Sequence, residues 1–427
     1  MNLNSEEFIP FARPDLGAAE EEAALRVIRG GWLTTGKENQ AFEEEFIAAL
    51  GNTSRSLEVQ ANEGGSSDLW ALGVNSATAG LHLALAAGGI GPGDFVVMSP
   101  YTFVSTAEVV LYRGAKPLFC DVEPGTFHLD VDRVKKLLRH PWLGRKIKAV
   151  IPVHISGCSW RIRELAQVCR EKGVLCIEDA AHTFPSEAEG KAHGTWGDVG
   201  VFSFYANKTI TTGEGGMVVT PRQDLAEQIR PMRLHGIDRE VWNRYQKNAT
   251  GAEYDIVTLG YKYNLPDLGA AIGRVQLSRA WELRDARRAI AKIYGEGLGD
   301  RDWLQLPFLG DGSNPSDWEN ENFTNNSHSW HLFILRLVPE KLSISRNEFV
   351  AELKERAIGT SLHFLPLHRM SYYRRMKIGG EGPFPEVEGL SDRAISLPLF
   401  PSMTEAQVRR VIAEVLKIGD TFSQRHG

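Results

Sequence analysis

The stretch that decides the fold runs from Glu178 to Gly216 and reads EDAAHTFPSEAEGKAHGTWGDVGVFSFYANKTITTGEGG. The turn and the apolar run VLCI just before it are typical of a strand buried on both faces of a parallel sheet. Asp179 comes at the end of this strand, and Lys208 follows a second short apolar strand. Open α/β sheets bind ligands beyond the carboxyl ends of their strands. The stretch therefore predicts an α/β fold with a ligand site at this edge.

Three residue types in this stretch match the needs of pyridoxal phosphate (PLP). Lys208 offers an amine to hold the cofactor as a Schiff base, and Asp179 offers a carboxylate to keep the pyridine nitrogen protonated. Ser203 offers a hydroxyl to the phosphate, and the glycines from Gly213 to Gly216 let the backbone approach a planar ring closely. The combination predicts a PLP site.

Each of these residues also has a simpler explanation when it is taken alone. Asp179 can cap a following helix, as Asp often does at a strand-to-helix turn. Lys208 can be a solvated loop lysine, because Lys is mostly exposed in folded proteins. His182, three residues after the aspartate, is equally ambiguous. It is the co-occurrence of these groups that favours a cofactor site.

Two further segments supply candidate cofactor contacts. Residues 72–80 read LGVNSATAG and predict a strand-end turn that opens a helix, whose free amide groups suit a phosphate. The alternative is a plain Ser/Thr helix cap without a ligand. Phe103 follows another predicted strand and offers a ring to the pyridine face, where offset stacking is favourable. Two alternatives are that Phe103 is an ordinary core residue and that Tyr101 provides the stacking ring instead.

The chain resembles the DegT/DnrJ/EryC1/StrS family of PLP-dependent sugar aminotransferases over most of its length. Besides the stretch from Glu178 to Gly216, the resemblance rests on ordered blocks: GWLTTG (31–36), NSATAGLH (75–82), PYTFVST (100–106), PVH with Gly157 (152–157), LHG (234–236), YKYNL (261–265) and SLPLFP (396–401). It implies PLP-dependent transferase fold type I, like aspartate aminotransferase. A large domain with a mixed, mainly parallel sheet is expected over residues 1–280, and a smaller α+β domain over residues 281–427. The first residues are expected to wrap back onto the smaller domain.

The resemblance also assigns roles to individual residues. It implies that Lys208 carries the cofactor and then moves protons, that Asp179 keeps the ring an electron sink, and that His182 contacts the cofactor or orients Asp179. The implied cofactor contacts are Ser76, Ala77, Thr78, Phe103, Asp179, His182, Ser203, Lys208 and, from the neighbouring subunit, Asn264. The candidate substrate contacts are Thr34, Arg233, His331 and His363. From the sequence alone, Asn264 can equally cap the following helix, and Arg233 is a candidate for a nucleotide pyrophosphate.

The reaction that the resemblance implies is transfer of an amino group, usually from glutamate, to a nucleotide-linked keto sugar. A 4-keto hexose or pentose would give an amino sugar for lipopolysaccharide or another glycoconjugate. Segments 259–265, 329–333 and 358–364 are similar to those of family members that make UDP-4-amino-4-deoxy-L-arabinose. Relatives with His in place of the lysine carry out dehydration, so the retained Lys208 favours transamination over a PLP-dependent dehydratase. A PLP-binding regulatory protein without turnover remains an alternative, and a homodimer with shared sites is expected.

Composition excludes several other classes. At 427 residues two domains are expected, and the net charge of −6 comes without a basic run that could bind nucleic acid. The N-terminus lacks signal-peptide features and no apolar run has membrane-spanning length, which predicts a cytoplasmic protein without a membrane partner. Four cysteines without paired metal-ligand spacing predict reduced thiols and no metal. Polar segments 51–68 and 310–326 are predicted to be loops or insertions.

Overall fold

The computed structural model describes residues 8–51, 69–238, 254–299, 301–307, 327–380 and 382–424. Of the two predicted insertions, only Gly51 belongs to the described part of the chain, and it ends a helix. Residues 52–68 and 310–326 lie outside the described residues. No helix in the described ranges is long and apolar enough to cross a membrane.

A seven-stranded sheet forms the centre of the N-terminal part. Its strands are β1 (Trp70–Val74), β2 (Phe95–Met98), β3 (Lys116–Phe119), β4 (Ile147–Ile151), β5 (Leu175–Asp179), β8 (Val199–Ser203) and β9 (Gly216–Thr220). Between β5 and β8 in the chain, β6 (Glu187–Ala188) and β7 (Lys191–Ala192) form a separate two-stranded sheet. The strand order is β1-β9-β8-β5-β4-β2-β3, with parallel pairing from β8 to β3 and antiparallel pairing on both sides of β9. This is the mixed, mainly parallel sheet that the sequence predicts.

Helices cover this sheet. They are α1 (Ala18–Gly30), α2 (Lys37–Gly51), α3 (Ala77–Ala87), α4 (Ser105–Tyr112), α5 (Val131–Arg139), α6 (Leu143–Lys146), α7 (Ile162–Lys172), α8 (Gln223–Met232), α9 (Asp267–Ser278) and α10 (Ala280–Leu298). Helix α3 is apolar on nearly all sides, because it packs on β8 and β9 with one face and on α4 and α8 with others. A helix that is hydrophobic all round is a buried helix. Its first turn is therefore held firmly by the core.

The C-terminal part has a separate antiparallel sheet and its own apolar core. The sheet consists of β10 (Leu304–Gln305), β11 (Phe333–Leu337) and β12 (Ala394–Leu397), and the helices are α11 (Arg346–Glu355), α12 (Ser371–Met376), α13 (Pro385–Ser391) and α14 (Glu405–Phe422). Capping boxes begin α11 at Ser345 and α14 at Thr404. Ile9 packs into this core and pairs with Ile358, in agreement with the predicted wrap of the first residues. The domain boundary at residue 280 stays a prediction.

The strands bring the predicted motifs to one edge of the larger sheet. Asp179 is the last residue of β5, and Ser203 is the last residue of the neighbouring strand β8. Gly216 opens β9 against the start of α3, where a Cβ atom would lie 2.7 Å from the Phe202 carbonyl oxygen and 2.8 Å from the Ala77 amide nitrogen. Glycine is needed there because any side chain would push the helix N-terminus away from this edge.

Candidate active site

A cavity of about 420 Å³ opens at this edge, between the ends of the parallel strands and the C-terminal part of the chain. Most of the predicted site residues line it. They are Ser76, Ala77, Thr78, Phe103, Asp179, His182, Ser203, Lys208, His331 and His363. The cavity therefore gathers residues from four strand ends or loops of the large sheet and two segments near the smaller sheet.

Asp179 is buried at the floor of the cavity. Its carboxylate accepts hydrogen bonds from the Thr106 hydroxyl at 2.9 Å and from the Ala181 amide at 3.3 Å. Burial raises the pKa of this carboxyl, while both hydrogen bonds and the positive charge of Lys208 favour its ionised form. Residues 180–190 form turns and strand β6, so Asp179 caps no following helix. A buried carboxylate of this kind is stabilised by a cation placed in the cavity.

Lys208 points its amine into the same cavity. The Nζ atom lies 3.3 Å from His331 Nε2. Burial lowers the pKa of Lys208 to about 7, against the opposing effect of Asp179 and with some help from Arg287. A solvated loop lysine would keep its ordinary pKa, so this geometry favours the reactive amine that the sequence predicts.

Three histidines surround the amine. The rings of His182 and His331 lie 4.3 Å apart, and His363 bonds through Nδ1 to the Ser396 hydroxyl at 2.8 Å. Burial is the largest cause that lowers the pKa of each ring, to about 4 for His363 and well below the ordinary value for the other two. The three rings are neutral at physiological pH, so they line the cavity as hydrogen-bonding groups and not as charged groups.

The N-terminus of α3 faces the cavity. It combines the two features that the sequence allowed, a Ser helix cap and first-turn amides that suit a phosphate. The Ser76 hydroxyl accepts a hydrogen bond from the Ala79 amide at 3.1 Å, which is a normal helix cap. The amides of Ala77 and Thr78 belong to the first turn, where helical amides have no partner within the helix. Ser203, across the cavity wall, accepts a hydrogen bond from the Tyr205 amide at 3.3 Å. A phosphate fits this set of donors.

Phe103, and not its rival Tyr101, presents its ring to the cavity. The Phe103 side chain is 57% exposed, and its ring lies 6.1 Å from that of Phe364. Tyr101 is buried, stacks on Phe127 and donates its hydroxyl to the carbonyl oxygen of His363 at 2.5 Å. Tyr101 therefore supports the cavity wall from behind.

Three predicted site residues lie outside this cavity. Asn264 is tied to its own chain, donating to the Thr35 hydroxyl at 2.7 Å and accepting from Lys262 Nζ at 2.7 Å. It does not cap α9, whose N-cap is Pro266. Asn264 and Arg233 line a second cavity of about 310 Å³, and Thr34 lines neither of the two.

Arg233 is used for packing within the chain. Its guanidinium is buried, pairs with the Glu43 carboxylate and donates to the Gly73 carbonyl oxygen at 3.1 Å. A buried pair of this kind is costly to break, because either partner would remain as an uncompensated charge. This geometry favours a structural role over the predicted contact with a nucleotide pyrophosphate.

Sequence reasoning gave no role to two residues that hold the site together. Thr106 donates its hydroxyl to Asp179 and contacts the Thr102 hydroxyl at 2.8 Å. Arg287, buried on α10, donates to the carbonyl oxygens of His331 and Leu399. Thr106 belonged to a block that resembles the family, so that signal was available, whereas a lone Arg in a helix gave none.

The cavity fits PLP in each of its functional parts. It holds one buried carboxylate for a pyridinium nitrogen, one amine for an aldehyde, an aromatic ring for the pyridine face and a helix N-terminus for a phosphate. Within the described ranges no cluster of His, Cys, Asp or Glu has the geometry of a metal site. The fold and this cavity define a PLP-dependent enzyme of fold type I.

The chain belongs to the DegT/DnrJ/EryC1/StrS aminotransferase family, whose profile matches residues 14–416. It is 36% identical over 412 residues to the spore coat polysaccharide biosynthesis protein SpsC of Bacillus subtilis, covering 96% of this chain and 97% of SpsC. The solved aminotransferase TlmJ of Streptoalloteichus hindustanus has a TM-score of 0.81 and 31% identity, covering 97% and 99% of the two chains. The PLP form of the sugar aminotransferase Spr1654 of Streptococcus pneumoniae has a TM-score of 0.81 and 26% identity, with the same coverage. The predicted family, fold and cofactor are confirmed: PLP is the cofactor, and the family is one of sugar aminotransferases.

Proposed function

We propose that this protein transfers the amino group of glutamate to a nucleotide-linked 4-keto sugar and so forms an amino sugar in the cytoplasm. The observation that carries the proposal is the Lys208 amine, which shares one cavity with the buried Asp179 carboxylate. Membership of a sugar aminotransferase family and the likeness to SpsC, a polysaccharide biosynthesis protein, support the sugar as acceptor. The amino sugar would serve glycoconjugate or lipopolysaccharide synthesis.

Lys208 is the residue that we assign to proton transfer. When bound, PLP supplies an electron sink that makes the carbon next to the transferred nitrogen acidic. The Lys208 amine takes a proton from one carbon and returns it to another, which requires its neutral form at the start. Because burial places its pKa at about 7, the neutral fraction rises as the pH rises through 7.

Asp179 is assigned to charge stabilisation, and the surrounding residues to positioning. The Thr106 hydroxyl fixes the carboxylate at 2.9 Å, so its negative charge is aimed at one point of the cavity. The rings of Phe103 and Phe364 close one side, and the ring of Phe364 also lies 6.1 Å from that of His182. These rings form an apolar side of the cavity next to the His182 ring.

Isotope transfer tests this function directly. Purified protein is mixed with ¹⁵N-glutamate and a panel of nucleotide-linked 4-keto hexoses and pentoses, and the products are measured by mass spectrometry. The expected result is one amino sugar that carries ¹⁵N. Transfer to keto acids but to no member of the sugar panel would contradict the proposed acceptor.

We further propose a homodimer with shared sites, in which Asn264 serves the cavity of the neighbouring subunit. Asn264 lines the second cavity of its own chain and not the cavity that contains Lys208. Nearby in the chain, Ile256, Val257 and Leu259 are exposed to 53%, 57% and 76%. Apolar side chains exposed on one short segment support the proposal of a surface that a partner covers.

Mixed dimers test the shared arrangement. Lys208→Ala and Asn264→Ala chains are co-expressed with different tags, and the mixed species is purified. If Asn264 serves the neighbouring site, one site carries both changes and the other is intact. We therefore expect activity well above that of either mutant homodimer.

The mixed-dimer experiment needs one control, and one result of it would contradict the shared arrangement. Asn264→Ala alone must impair activity, which is measured first in its homodimer. If Asn264 served its own subunit, each site of the mixed dimer would carry one change. Activity no higher than in the mutant homodimers would then contradict the shared arrangement.

A further inference from the structure

The free amine of Lys208 is held by a second residue of its own chain. The hydrogen-bond partner of Nζ is His331 Nε2, at 3.3 Å. His331 comes from the segment that precedes β11, far along the chain from Lys208. Its predicted role was contact with the substrate, whereas its ring nitrogen contacts the lysine.

The His331 ring has little freedom to move away from this contact. The residue is 3% exposed, its ring packs against that of His182 at 4.3 Å, and its carbonyl oxygen accepts a hydrogen bond from Arg287. The other ring nitrogen, Nδ1, has no hydrogen-bond partner among the residues that the structure describes. Within the described residues, the contact with Lys208 is therefore the one hydrogen bond that this ring makes.

A protonated Lys208 amine has no lone pair and can only donate, so Nε2 is the acceptor in the tautomer of His331 that carries its proton on Nδ1. Burial holds the pKa of His331 well below its ordinary value, so the ring is neutral and Nε2 can accept. Titratable and charged groups face the pair from the neighbouring elements: Asp179 on β5, His182 after it, Arg287 on α10 and His363 near β12. Of these groups, only Asp179 favours the charged lysine through its negative charge.

We infer that His331 is a positioning residue that holds the Lys208 amine whenever that amine is not bonded to the cofactor. Nε2 accepts a hydrogen bond from Nζ, fixes the direction of the amine and favours its protonated form. The proton stays on Nζ until it is returned to carbon, and no covalent bond to His331 forms or breaks. This inference rests on the proposed role of Lys208.

The test uses full-length protein freed of PLP and measures the rate of covalent PLP capture as a function of pH. Only the neutral amine reacts, so the midpoint of the profile reports the pKa of Lys208. In the wild type we expect a midpoint near the pKa of about 7. In His331→Phe, which keeps a ring but has no acceptor, we expect the midpoint to fall by about one to two pH units, since a hydrogen bond to a charged group is lost.

Two variants separate positioning from packing. His331→Gln restores an acceptor and should return the midpoint towards that of the wild type. His328→Phe makes the same change at a buried histidine that bonds to the Trp330 amide and does not contact Lys208, so its midpoint should equal that of the wild type. If His331→Phe does not fold, as judged by circular dichroism, His331→Leu takes its place with the same expected shift.

The outcomes also separate this inference from the role of Lys208. Borohydride reduction followed by peptide mapping shows which lysine captured PLP. Capture at Lys208 with the same midpoint in His331→Phe and the wild type would overturn the inference while the role of Lys208 stands. Capture at another lysine in the wild type would overturn both.

Discussion

Replacing Lys208 by alanine should abolish amino transfer while the chain stays folded. The lysine ends in a cavity and contributes nothing to the apolar clusters, so its removal costs little stability. Loss of a positioned proton-transfer group alone lowers the rate by about 10²–10⁴-fold. Loss of the covalent bond to PLP adds to this effect. The measurement is the rate of 2-oxoglutarate formation from glutamate, with circular dichroism as a check of the fold.

A matched control for this variant is Lys191→Ala. Lys191 lies over the Trp196 ring, 5.0 Å from its centroid, and does not line the cavity. Its loss should leave the rate of amino transfer within the error of the wild type. Covalent PLP trapped by borohydride in Lys208→Ala would mean that another lysine carries the cofactor.

Asp179→Asn should separate catalysis from cofactor binding. The change removes the negative charge but keeps the shape and an acceptor for the Thr106 hydroxyl. We expect the reaction with glutamate to slow by about 10²–10³-fold, the usual effect of removing one preorganised electrostatic group. PLP affinity should fall by no more than about tenfold, the contribution of a neutral hydrogen bond.

Asp198→Asn provides the comparison. Asp198 accepts a hydrogen bond from the Cys176 amide at 2.9 Å and precedes β8, at the edge of the sheet opposite the cavity. It should leave the rate with glutamate near that of the wild type. A near-normal rate in Asp179→Asn would instead show that this carboxylate has only a structural role.

The strands and the cofactor groups were predictable because their signals are local. Apolar runs followed by a functional side chain predicted Asp179 and Lys208 at strand ends. The structure has Asp179 as the last residue of β5, whereas Lys208 lies in the loop five residues after the end of β8. The two predicted helix caps, at Asp179 and at Asn264, are wrong because of the residues that directly follow them. Whether Asp179 caps a helix depends on the turns that follow it, and whether Asn264 caps α9 depends on Pro266 taking that position.

The contacts that tune the site depend on long-range packing and were not predictable in this way. Thr106 reaches Asp179 across 73 positions of sequence, and His331 reaches Lys208 across 123. Arg233 is a further example, because only its burial beside Glu43 reveals that its charge is already paired. The sequence therefore predicted the groups that we propose to act on the cofactor, while the structure showed the residues that form hydrogen bonds with them.

The measurement that tests the central claim most directly is the absorbance of the purified, PLP-loaded protein when glutamate alone is added. The account predicts that the aldehyde form of the cofactor converts to the amine form, with one 2-oxoglutarate released for each site. A nucleotide-linked keto sugar should then restore the aldehyde form. An unchanged spectrum, with PLP shown to be bonded to Lys208, would contradict the account and indicate a PLP-binding protein without turnover.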